Sequence, residues 1–300
     1  MNFAHICLFV FKRLDLTVKT VTSLKENLYA NESDLFIFSD APKNNKDYSL
    51  VSEVRKYIKS IVDFKSVNII ERKNNLGLAE SIISGVTEVI NQYGKVIVLE
   101  DDLLTSKYFL KYMNDALEKY QNESKVISIH GYIFPIKAKL PELFFLRGTD
   151  CWGWATWDKA WKTFEKDSKL LLNKIGEKKL AYKFDLNGTT NNIKMLKKQI
   201  KGDIDSWAVR WHASAFLQNK LTLYPGKSLV NNIGMGGEST HLKKTYIYET
   251  DIYNEPIELK DIPIEENIYA EKVIEEFFIS IKPNFIKRYY KRIRFLINPY

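Results

Sequence analysis

The chain contains little cysteine and no long hydrophobic run. Only two of its 300 residues are cysteines, and Cys7 and Cys151 do not have the spacing of a metal site. No window approaches the roughly 18 apolar residues that a membrane-spanning helix needs. The apolar run "AHICLFVF" is short and follows no basic segment, so it lacks the architecture of a signal peptide. These absences favour a protein of the reducing cytoplasm.

The chain is rich in apolar residues and carries an excess of positive charge. Its composition is 45% hydrophobic and 13% aromatic, which is typical of a globular protein with a large core. Its 45 Lys and Arg residues against 37 Asp and Glu residues give a net charge of +8. This charge favours anionic partners such as phosphates, nucleotides, nucleic acid or acidic lipid. Since no nucleic-acid-binding motif accompanies it, we expect no nucleic acid partner.

The first 130 residues alternate short apolar runs with segments of helical periodicity. The predicted strands are 5–11, 35–38, 67–70 and 96–99, and the predicted helices are 15–27, 48–62 and 78–94. Asp15 is the expected N-cap of the first helix, and Gly94 is the expected C-cap of the third. The series predicts an α/β fold with a mostly parallel central sheet and helices on both faces. Ligands of such sheets bind beyond the carboxyl ends of the strands.

Three carboxylates stand at such a strand end. In "KVIVLEDDLLTS", the apolar residues 96–99 are followed directly by Glu100, Asp101 and Asp102. Clustered carboxylates stay charged at low cost only in water or around a cation. Their hard oxygen atoms suit Mn²⁺ or Mg²⁺, which would bridge to nucleotide phosphates. The alternative is a solvated turn before the helix that starts near Ser106.

The stretches "LFVFKR", "LFIFSDAPK", "NNLGLAESIISGVTEVI" and "VIVLEDDLLTSKYFLKYMN" resemble glycosyltransferases of the GT-A type. The resemblance covers roughly residues 3–242, and it is to bacterial sugar transferases related to family 2 and, more remotely, to N-acetylglucosaminyltransferase I. It implies a Rossmann-like GT-A fold. Residues 1–130 would then form the nucleotide-sugar-binding half, residues 131–245 the half with the donor sugar, acceptor and catalytic base, and residues 246–300 a C-terminal extension with a basic tail.

The resemblance also assigns roles to the residues at the strand ends. It makes Asp102 the ligand of a Mn²⁺ or Mg²⁺ ion, and it places Asp101 against the ribose and Glu100 against the donor sugar. Arg13 and Asp40, which follow the first and second strands, would hold the uridine end of a UDP-sugar. From the residues alone, Arg13 could equally be a surface arginine and Asp40 a turn residue.

Four tryptophans lie in "FFLRGTDCWGWATWDKAWKTFE", at spacings that mix strand and helix periods. The segment is expected to pass from a loop into a helix around Thr156. We interpret most of the tryptophans as core and one, Trp152 or Trp154, as a wall against which a sugar ring packs. In the resembling enzymes this segment shapes the pocket of the transferred sugar, which makes Asp150 a further candidate.

The segment "GDIDSWAVRW" contains the candidate catalytic base. In an inverting transfer an acceptor hydroxyl attacks the anomeric carbon, and one positioned base takes its proton. Asp205 matches the catalytic aspartate of the resembling family, which also has an acidic residue before Trp and a following Arg, here Arg210. We expect partial burial of this carboxylate. The alternatives are an N-cap role for Asp205 and a catalytic role for Asp203.

Two later segments are candidate contacts for phosphate and membrane. The glycine-rich stretch "NNIGMGGESTH" resembles a loop that closes over the donor, in which Ser239 or His241 would contact phosphate or metal. From Lys282 onward, basic residues alternate with aromatic and aliphatic ones, which suits an anionic membrane surface. An ordinary packed helix with a solvated basic face is the alternative.

Taken together, these features predict a metal-dependent inverting glycosyltransferase. The implied donor is a nucleotide-sugar, UDP-linked by resemblance, and the implied acceptor is a glycan or lipid-linked oligosaccharide of bacterial surface polysaccharide synthesis. The enzyme would be cytoplasmic or peripheral on the inner leaflet. The alternatives are a sugar nucleotidyltransferase, which would normally have a glycine-rich loop after the first strand, and a non-catalytic carbohydrate-binding protein on the same fold.

Overall fold

The computed structural model describes residues 3–236 and 246–283, and it has the predicted α/β architecture. The strands are β1 His5–Val10, β2 Asp34–Ser39, β3 Ser66–Glu71, β4 Lys95–Glu100, β5 Leu103–Thr105, β6 Val126–His130, β7 Leu143–Arg147, β8 Trp154–Trp157, β9 Leu221–Pro225 and β10 Val230–Asn232. The α-helices are α1 Leu14–Lys25, α2 Tyr48–Ile58, α3 Gly77–Tyr93, α4 Phe109–Lys119, α5 Asp158–Trp161, α6 Ser168–Glu177, α7 Ala181–Phe184, α8 Asn192–Lys201, α9 Trp207–Leu217 and α10 Ile268–Ser280.

Eight strands form the central sheet in the order β3-β2-β1-β4-β8-β6-β9-β7. β1 pairs in parallel with β2 and β4, and β2 pairs in parallel with β3. β6 and β9 are also parallel, whereas β8 runs antiparallel to β4 and β6, and β7 runs antiparallel to β9. The carboxyl ends of β1, β2 and β4 therefore lie along one edge, where the predicted site residues follow them.

Apolar side chains fill both faces of the sheet. On β1, Ile6 and Leu8 belong to the core cluster that includes residues of α1, α2 and α4, while Cys7 and Phe9 belong to the cluster that includes residues of α3 and α9. Helices therefore cover both faces. This explains why the sequence of β1 is continuously apolar rather than alternating.

The predicted alternation of strands and helices in the first 130 residues is confirmed, with local differences. Gly94 ends α3 with φ 81°, in the left-handed region that favours glycine. The prediction that Asp15 is the N-cap of α1 is wrong. Helix α1 begins at Leu14, soon after the end of β1, so Arg13 takes the cap position. The predicted passage from loop to helix around Thr156 is also wrong, since residues 154–157 form β8 before α5 begins.

A small second sheet brings a distant loop to the acidic cluster. β5 follows Asp102 directly and pairs antiparallel with β10, with Asn232 opposite Leu103. Beyond β10, the Ile233 N–H donates to the Asp102 carbonyl oxygen at 2.9 Å. The stretch 230–234 is thereby fixed next to Asp102, which the sequence did not predict.

The lysine-rich segment 166–201 forms the helices α6, α7 and α8, with a loop at 185–191. Leu171, Ile175 and Leu196 of these helices pack against Val209 and Phe216 of α9. Within residues 3–236 and 246–283, no helix is both long and apolar enough to span a membrane.

Candidate active site

The acidic cluster lies at the carboxyl edge of the two central parallel strands. Glu100 is the last residue of β4 and is paired in register with Phe9 of β1. Asp101 and Asp102 follow it and are 4% and 8% exposed. Arg13 lies just beyond the end of β1, on the same edge. The parallel pairing of β1 with β4 thus brings together residues almost 90 positions apart.

Arg13 pairs with two of the three carboxylates. Its Nη2 donates to Oδ1 of Asp101 and, at 2.9 Å, to Oδ2 of Asp102. Two further contacts hold Asp101: the backbone N–H of Phe11 approaches its Oδ2 at 3.4 Å, and the Thr20 hydroxyl donates to its carbonyl oxygen at 3.0 Å. Thr20 was not predicted, and a threonine within a helix carries no sequence signal for this role. One guanidinium therefore compensates part of the negative charge of the cluster.

The third carboxylate is not compensated in the same way. Burial, followed by the charges of Asp102 and Asp101, raises the pKa of Glu100 to about 8. Burial also raises the pKa of Asp101, against the attraction of Arg13. Near neutral pH the cluster therefore does not carry three full negative charges, and Glu100 can donate a hydrogen bond.

The chemistry of the cluster fits a divalent cation that has few protein ligands. Mg²⁺ and similar ions are commonly held by one or two carboxylates together with the phosphates of a nucleotide. Asp102 and its neighbours offer such oxygen atoms. The residues 3–236 and 246–283 contain no group of three or more His, Cys, Asp or Glu side chains arranged to hold a metal. A cation at Asp102 would therefore depend on phosphate oxygens for the rest of its coordination.

Gly234 is in close contact with the Asp102 carboxylate. A Cβ atom at Gly234 would overlap Oδ2 of Asp102, so glycine is required for this close approach. The Gly234 N–H donates to Oδ1 of Asn232 at 2.9 Å, which holds the turn. The first part of the glycine-rich stretch thus lies against the acidic cluster. Ser239 and His241, the predicted phosphate or metal contacts, fall outside the described residues.

Asp40 is held by the start of α3. Its two carboxylate oxygens accept hydrogen bonds from the backbone N–H groups of Ala41, Leu76 and Gly77, and from the side-chain amide of Asn75, at 2.9 to 3.1 Å. The first residues of a helix have unsatisfied N–H groups, and Asp40 satisfies one of them at Gly77. The structure therefore gives Asp40 a structural role at the strand end, and its contact with a nucleotide stays a prediction.

The tryptophan segment separates into core and surface. Trp154, Trp157 and Trp161 are buried, and Trp154 stacks on Trp207 of α9 with ring centroids 5.2 Å apart. Trp152 is only partly buried and packs edge-on against Tyr132 at 4.7 Å. Trp154 is therefore a core residue, and the contact of Trp152 with a sugar ring stays a prediction.

Asp150 lies on the same loop, close to a buried histidine. Its Oδ1 accepts the N–H of Cys151 at 2.8 Å, and its Oδ2 is 3.8 Å from Nε2 of His130. His130 is fully buried, and burial lowers its pKa to about 4. Burial and then the charges of Asp150, Glu100 and Asp102 raise the pKa of the Cys151 thiol. Cys151 therefore lies in the electrostatic field of the acidic cluster. No pattern in the sequence predicted that His130 would lie next to Asp150.

Asp205 precedes α9 and is more exposed than expected. Its side chain is 57% exposed, so the expectation of partial burial is wrong. Its Oδ1 accepts from Nη2 of Arg210 at 3.2 Å and lies 3.5 Å from Nε2 of Gln199. The alternative cap role is also wrong, because the Ser206 hydroxyl accepts the Val209 N–H as N-cap of α9. Asp205 is thus held by polar side chains and open to solvent.

Of three comparisons with known proteins, one finds matches, and these are solved structures. A scan against models of protein families finds no match, and a search of curated proteins finds none. Among solved structures, a mannosyltransferase from Pyrobaculum calidifontis in complex with GDP-Man and Mn²⁺ is 14% identical, with a TM-score of 0.32, over 43% of this chain and 36% of that one.

Two structures of TarS from S. aureus, residues 1–349, are also similar. The complex with UDP-GlcNAc is 11% identical, with a TM-score of 0.33, over 46% of this chain and 37% of that one. The structure described without a ligand is 9% identical, with a TM-score of 0.41, over 75% of this chain and 59% of that one. The chain thus matches between about a third and three fifths of the length of these proteins.

Proposed function

We propose that the chain is a metal-dependent, inverting glycosyltransferase that moves a sugar from a nucleotide-sugar to a glycan hydroxyl. The observation that carries this proposal is the meeting of Glu100, Asp101 and Asp102 with Arg13 at the carboxyl edge of β4 and β1. An open α/β sheet binds nucleotides at this edge. The loop with Asp150 and Trp152 lies beside the cluster and supplies groups suited to a sugar.

The donor side follows from the charges. Asp102 would hold Mn²⁺ or Mg²⁺, which neutralises the diphosphate as it leaves. Asp101, fixed by Arg13 and Phe11, accepts hydrogen bonds from the ribose hydroxyls. Glu100, which is less buried than Asp101 and Asp102, can donate to, or accept from, a hydroxyl of the donor sugar. The resemblance to GT-A enzymes favours UDP, and Arg13 and Asp40 are the candidates at its uridine end.

The transfer step needs a base opposite the departing diphosphate. The acceptor oxygen bonds to the anomeric carbon while the bond from that carbon to the diphosphate oxygen breaks. Asp205 takes the proton that the acceptor hydroxyl loses, and the nucleoside diphosphate leaves. Arg210 and Gln199 hold the carboxylate in place. Trp207, two residues on, stacks on Trp154, which pairs with Val98 of β4. The start of α9, which Asp205 precedes, thus packs against β8, the strand next to β4.

The proposed acceptor and cellular site follow from the use of a nucleotide-sugar. A glycan or lipid-linked oligosaccharide of surface polysaccharide synthesis suits an enzyme that uses nucleotide-sugars on the cytoplasmic side of a membrane. The basic tail would then contact the anionic inner leaflet. Nearly all of this tail, residues 284–300, falls outside the described residues.

A direct test is release of nucleoside diphosphate. The full chain would be incubated with Mn²⁺, methyl glycosides as acceptors, and UDP-glucose, UDP-galactose, UDP-N-acetylglucosamine or GDP-mannose in turn. The proposal predicts that one donor releases diphosphate, that an acceptor accelerates the release, and that chelation of Mn²⁺ stops it. Failure of all four donors to react, with or without acceptors, would contradict it.

One observation favours a second candidate, a carbohydrate-binding protein without catalysis. Arg13 already places a positive charge against Asp102, which is the carboxylate expected to bind the cation. A protein of this kind would bind glycans with no need for Mn²⁺, and it would release no diphosphate. The third candidate, a sugar nucleotidyltransferase, is not favoured, because α1 begins directly after Arg13 and no glycine-rich loop separates it from β1.

A further inference from the structure

Residues 166–201, which form α6, α7 and α8, carry a strong excess of positive charge. They contain ten lysines against two aspartates and one glutamate, in a chain whose net charge is +8. Two of these three carboxylates are already engaged. Asp167 caps α6, and Asp185 accepts the Ile193 N–H at the start of α8 at 2.8 Å. These helices therefore present far more positive than negative charge to their surroundings.

Four of the lysines lie on one face of α8. Lys194, Lys197, Lys198 and Lys201 are exposed, and their spacing places them on one stripe, opposite the buried Leu196. The stripe extends over two helical turns, about 10 Å. None of the four lysines forms an ion pair with another described residue. The charge of this lysine stripe is therefore not compensated within the part of the chain that the structure describes.

The lysine stripe does not serve the stability of α8. Like charges three and four residues apart on a helix repel each other. The helix dipole favours Lys198 and Lys201, which lie in the last turn, but it gives no reason for Lys194 and Lys197. An anionic partner would relieve the repulsion, so the stripe is suited to contact one.

The lysine stripe does not point towards the proposed catalytic base. The side chain of Gln199 reaches Asp205, with Nε2 3.5 Å from Oδ1, and Gln199 lies on a different side of α8 from the four lysines. An acidic acceptor bound along the stripe would therefore not be led to Asp205. A partner that takes no part in the reaction fits this orientation better.

Exposed apolar side chains accompany the lysines. Leu170 of α6 and Met195 of α8 are each 37% exposed, and Tyr182 of α7 is 57% exposed. Basic residues beside apolar and aromatic ones are typical of surfaces that lie on an anionic bilayer. Clusters of four or more lysines and arginines next to a membrane bind acidic lipids. The combination favours a lipid surface over a soluble anion.

The basic tail begins next to the same helices. Nζ of Lys282 lies 3.5 Å from the carbonyl oxygen of Gly188, in the loop between α7 and α8. Burial raises the pKa of Asp185, and the charges of Lys282 and Lys197 oppose this rise, so both ammonium groups act on one carboxylate. Residues 284–300, which lie outside the described residues, contain five basic and no acidic residues. The chain thus continues from this surface with more charge of the same sign.

We propose that the lysine stripe of α8 docks the protein on a bilayer that contains anionic lipid. The four ammonium groups pair with lipid phosphates, and the exposed apolar side chains of α6, α7 and α8 lie at the level of the headgroups. The proposal goes beyond glycosyl transfer and does not depend on it, because docking requires neither a nucleotide-sugar nor a metal.

The test measures binding of the full chain to vesicles by sedimentation, at low salt and without nucleotide. One set of vesicles contains phosphatidylcholine and phosphatidylglycerol, and the other contains phosphatidylcholine alone. The α8 variant combines Lys194→Gln, Lys197→Gln, Lys198→Gln and Lys201→Gln. The matched control removes the same charge from four other elements, at exposed lysines without an ion pair among the described residues: Lys19→Gln, Lys56→Gln, Lys73→Gln and Lys125→Gln. Melting temperatures show whether each variant is folded, and that of the α8 variant should not fall.

The wild type and the control should bind the vesicles with phosphatidylglycerol and not those without it. The α8 variant should partition at least tenfold less. Salt at about 1 M, where the Debye length is about 3 Å, should release the wild type. The proposal is overturned if the folded α8 variant binds as well as the control, which would assign binding to the tail or to net charge. It is also overturned if the wild type ignores both vesicles, even if it is retained on an acidic polysaccharide such as alginate.

Discussion

Nη2 of Arg13 lies 2.9 Å from Oδ2 of Asp102, so the carboxylate expected to hold a cation already faces one positive charge. The same nitrogen also donates to Asp101. A divalent ion and a guanidinium at the same carboxylate repel each other. We therefore expect Arg13 and the metal to compete for Asp102, or Arg13 to turn towards the diphosphate when the donor binds.

Replacement of Arg13 by glutamine tests this competition. Without Mn²⁺, Arg13→Gln should lower the free energy of unfolding by about 2 kcal/mol, because two poorly exposed carboxylates lose their partner while Arg13 itself is partly solvated. Millimolar Mn²⁺ should stabilise the variant more than the wild type, as measured by urea unfolding. Lys19→Gln, on the exposed face of α1, is the control for net charge. Equal stabilisation of both proteins by Mn²⁺ would rule out the competition.

Replacement of Gly234 by alanine should disturb the same site from the other side. The added Cβ would overlap Oδ2 of Asp102, so either this carboxylate or the stretch 230–234 must shift. We expect the Mn²⁺-dependent affinity for UDP to fall at least tenfold in titration calorimetry. Gly176→Ala is the control, because no atom lies within 4 Å of its added Cβ and it is in helix α6. That change should be neutral or slightly stabilising. Unaltered UDP binding by Gly234→Ala would remove this loop from the site.

Two substitutions distinguish Asp205 from Asp203 as the catalytic base. Asp205→Asn should lower kcat by about 10²- to 10⁴-fold, the usual contribution of a general base, with little change in donor KM. Asp203→Asn, two residues earlier and also exposed, should leave kcat within about twofold. Initial rates of diphosphate release measure both. A large loss in Asp203→Asn alone would transfer the role to Asp203.

The buried His130 predicts a loss of stability in acid. Its pKa is lowered from 6.5 to about 4, mainly by burial, and among residues 3–236 and 246–283 the charged group that faces it is Asp150, at 3.8 Å. As the pH falls below 6.5, the unfolded chain takes up a proton that the folded chain binds only near pH 4. The free energy of unfolding should therefore fall across this window, by about 3 kcal/mol from this group.

This contribution is measured by urea unfolding of the wild type and His130→Gln between pH 7 and pH 4.5. The stability of the variant should depend less on pH over this range. Parallel curves for the two proteins would show that His130 does not set the acid stability.

The sequence was a good guide where local patterns decide the structure. The alternation of β1 to β4 with α1 to α3 was predicted because each element has its own apolar periodicity, and the position of Glu100 to Asp102 followed from the end of β4. Contacts between distant residues were not predicted. The pairing of Arg13 with Asp101 depends on the register of β1 with β4, and β5 and β10 are three-residue strands with too few residues to show a period. The exposure of Asp205 was missed because burial depends on packing around the chain rather than on its neighbours in sequence.

The measurement that tests the central claim most directly is thermal stabilisation of the full chain by UDP, with and without Mn²⁺, in the wild type and in Asp102→Asn. A ligand that binds only the folded state raises the melting temperature by mass action. The proposed site predicts an increase with UDP that requires Mn²⁺ in the wild type and is lost in Asp102→Asn. No increase with UDP and Mn²⁺, or an equal increase in the variant, would contradict a nucleotide site built on Asp102.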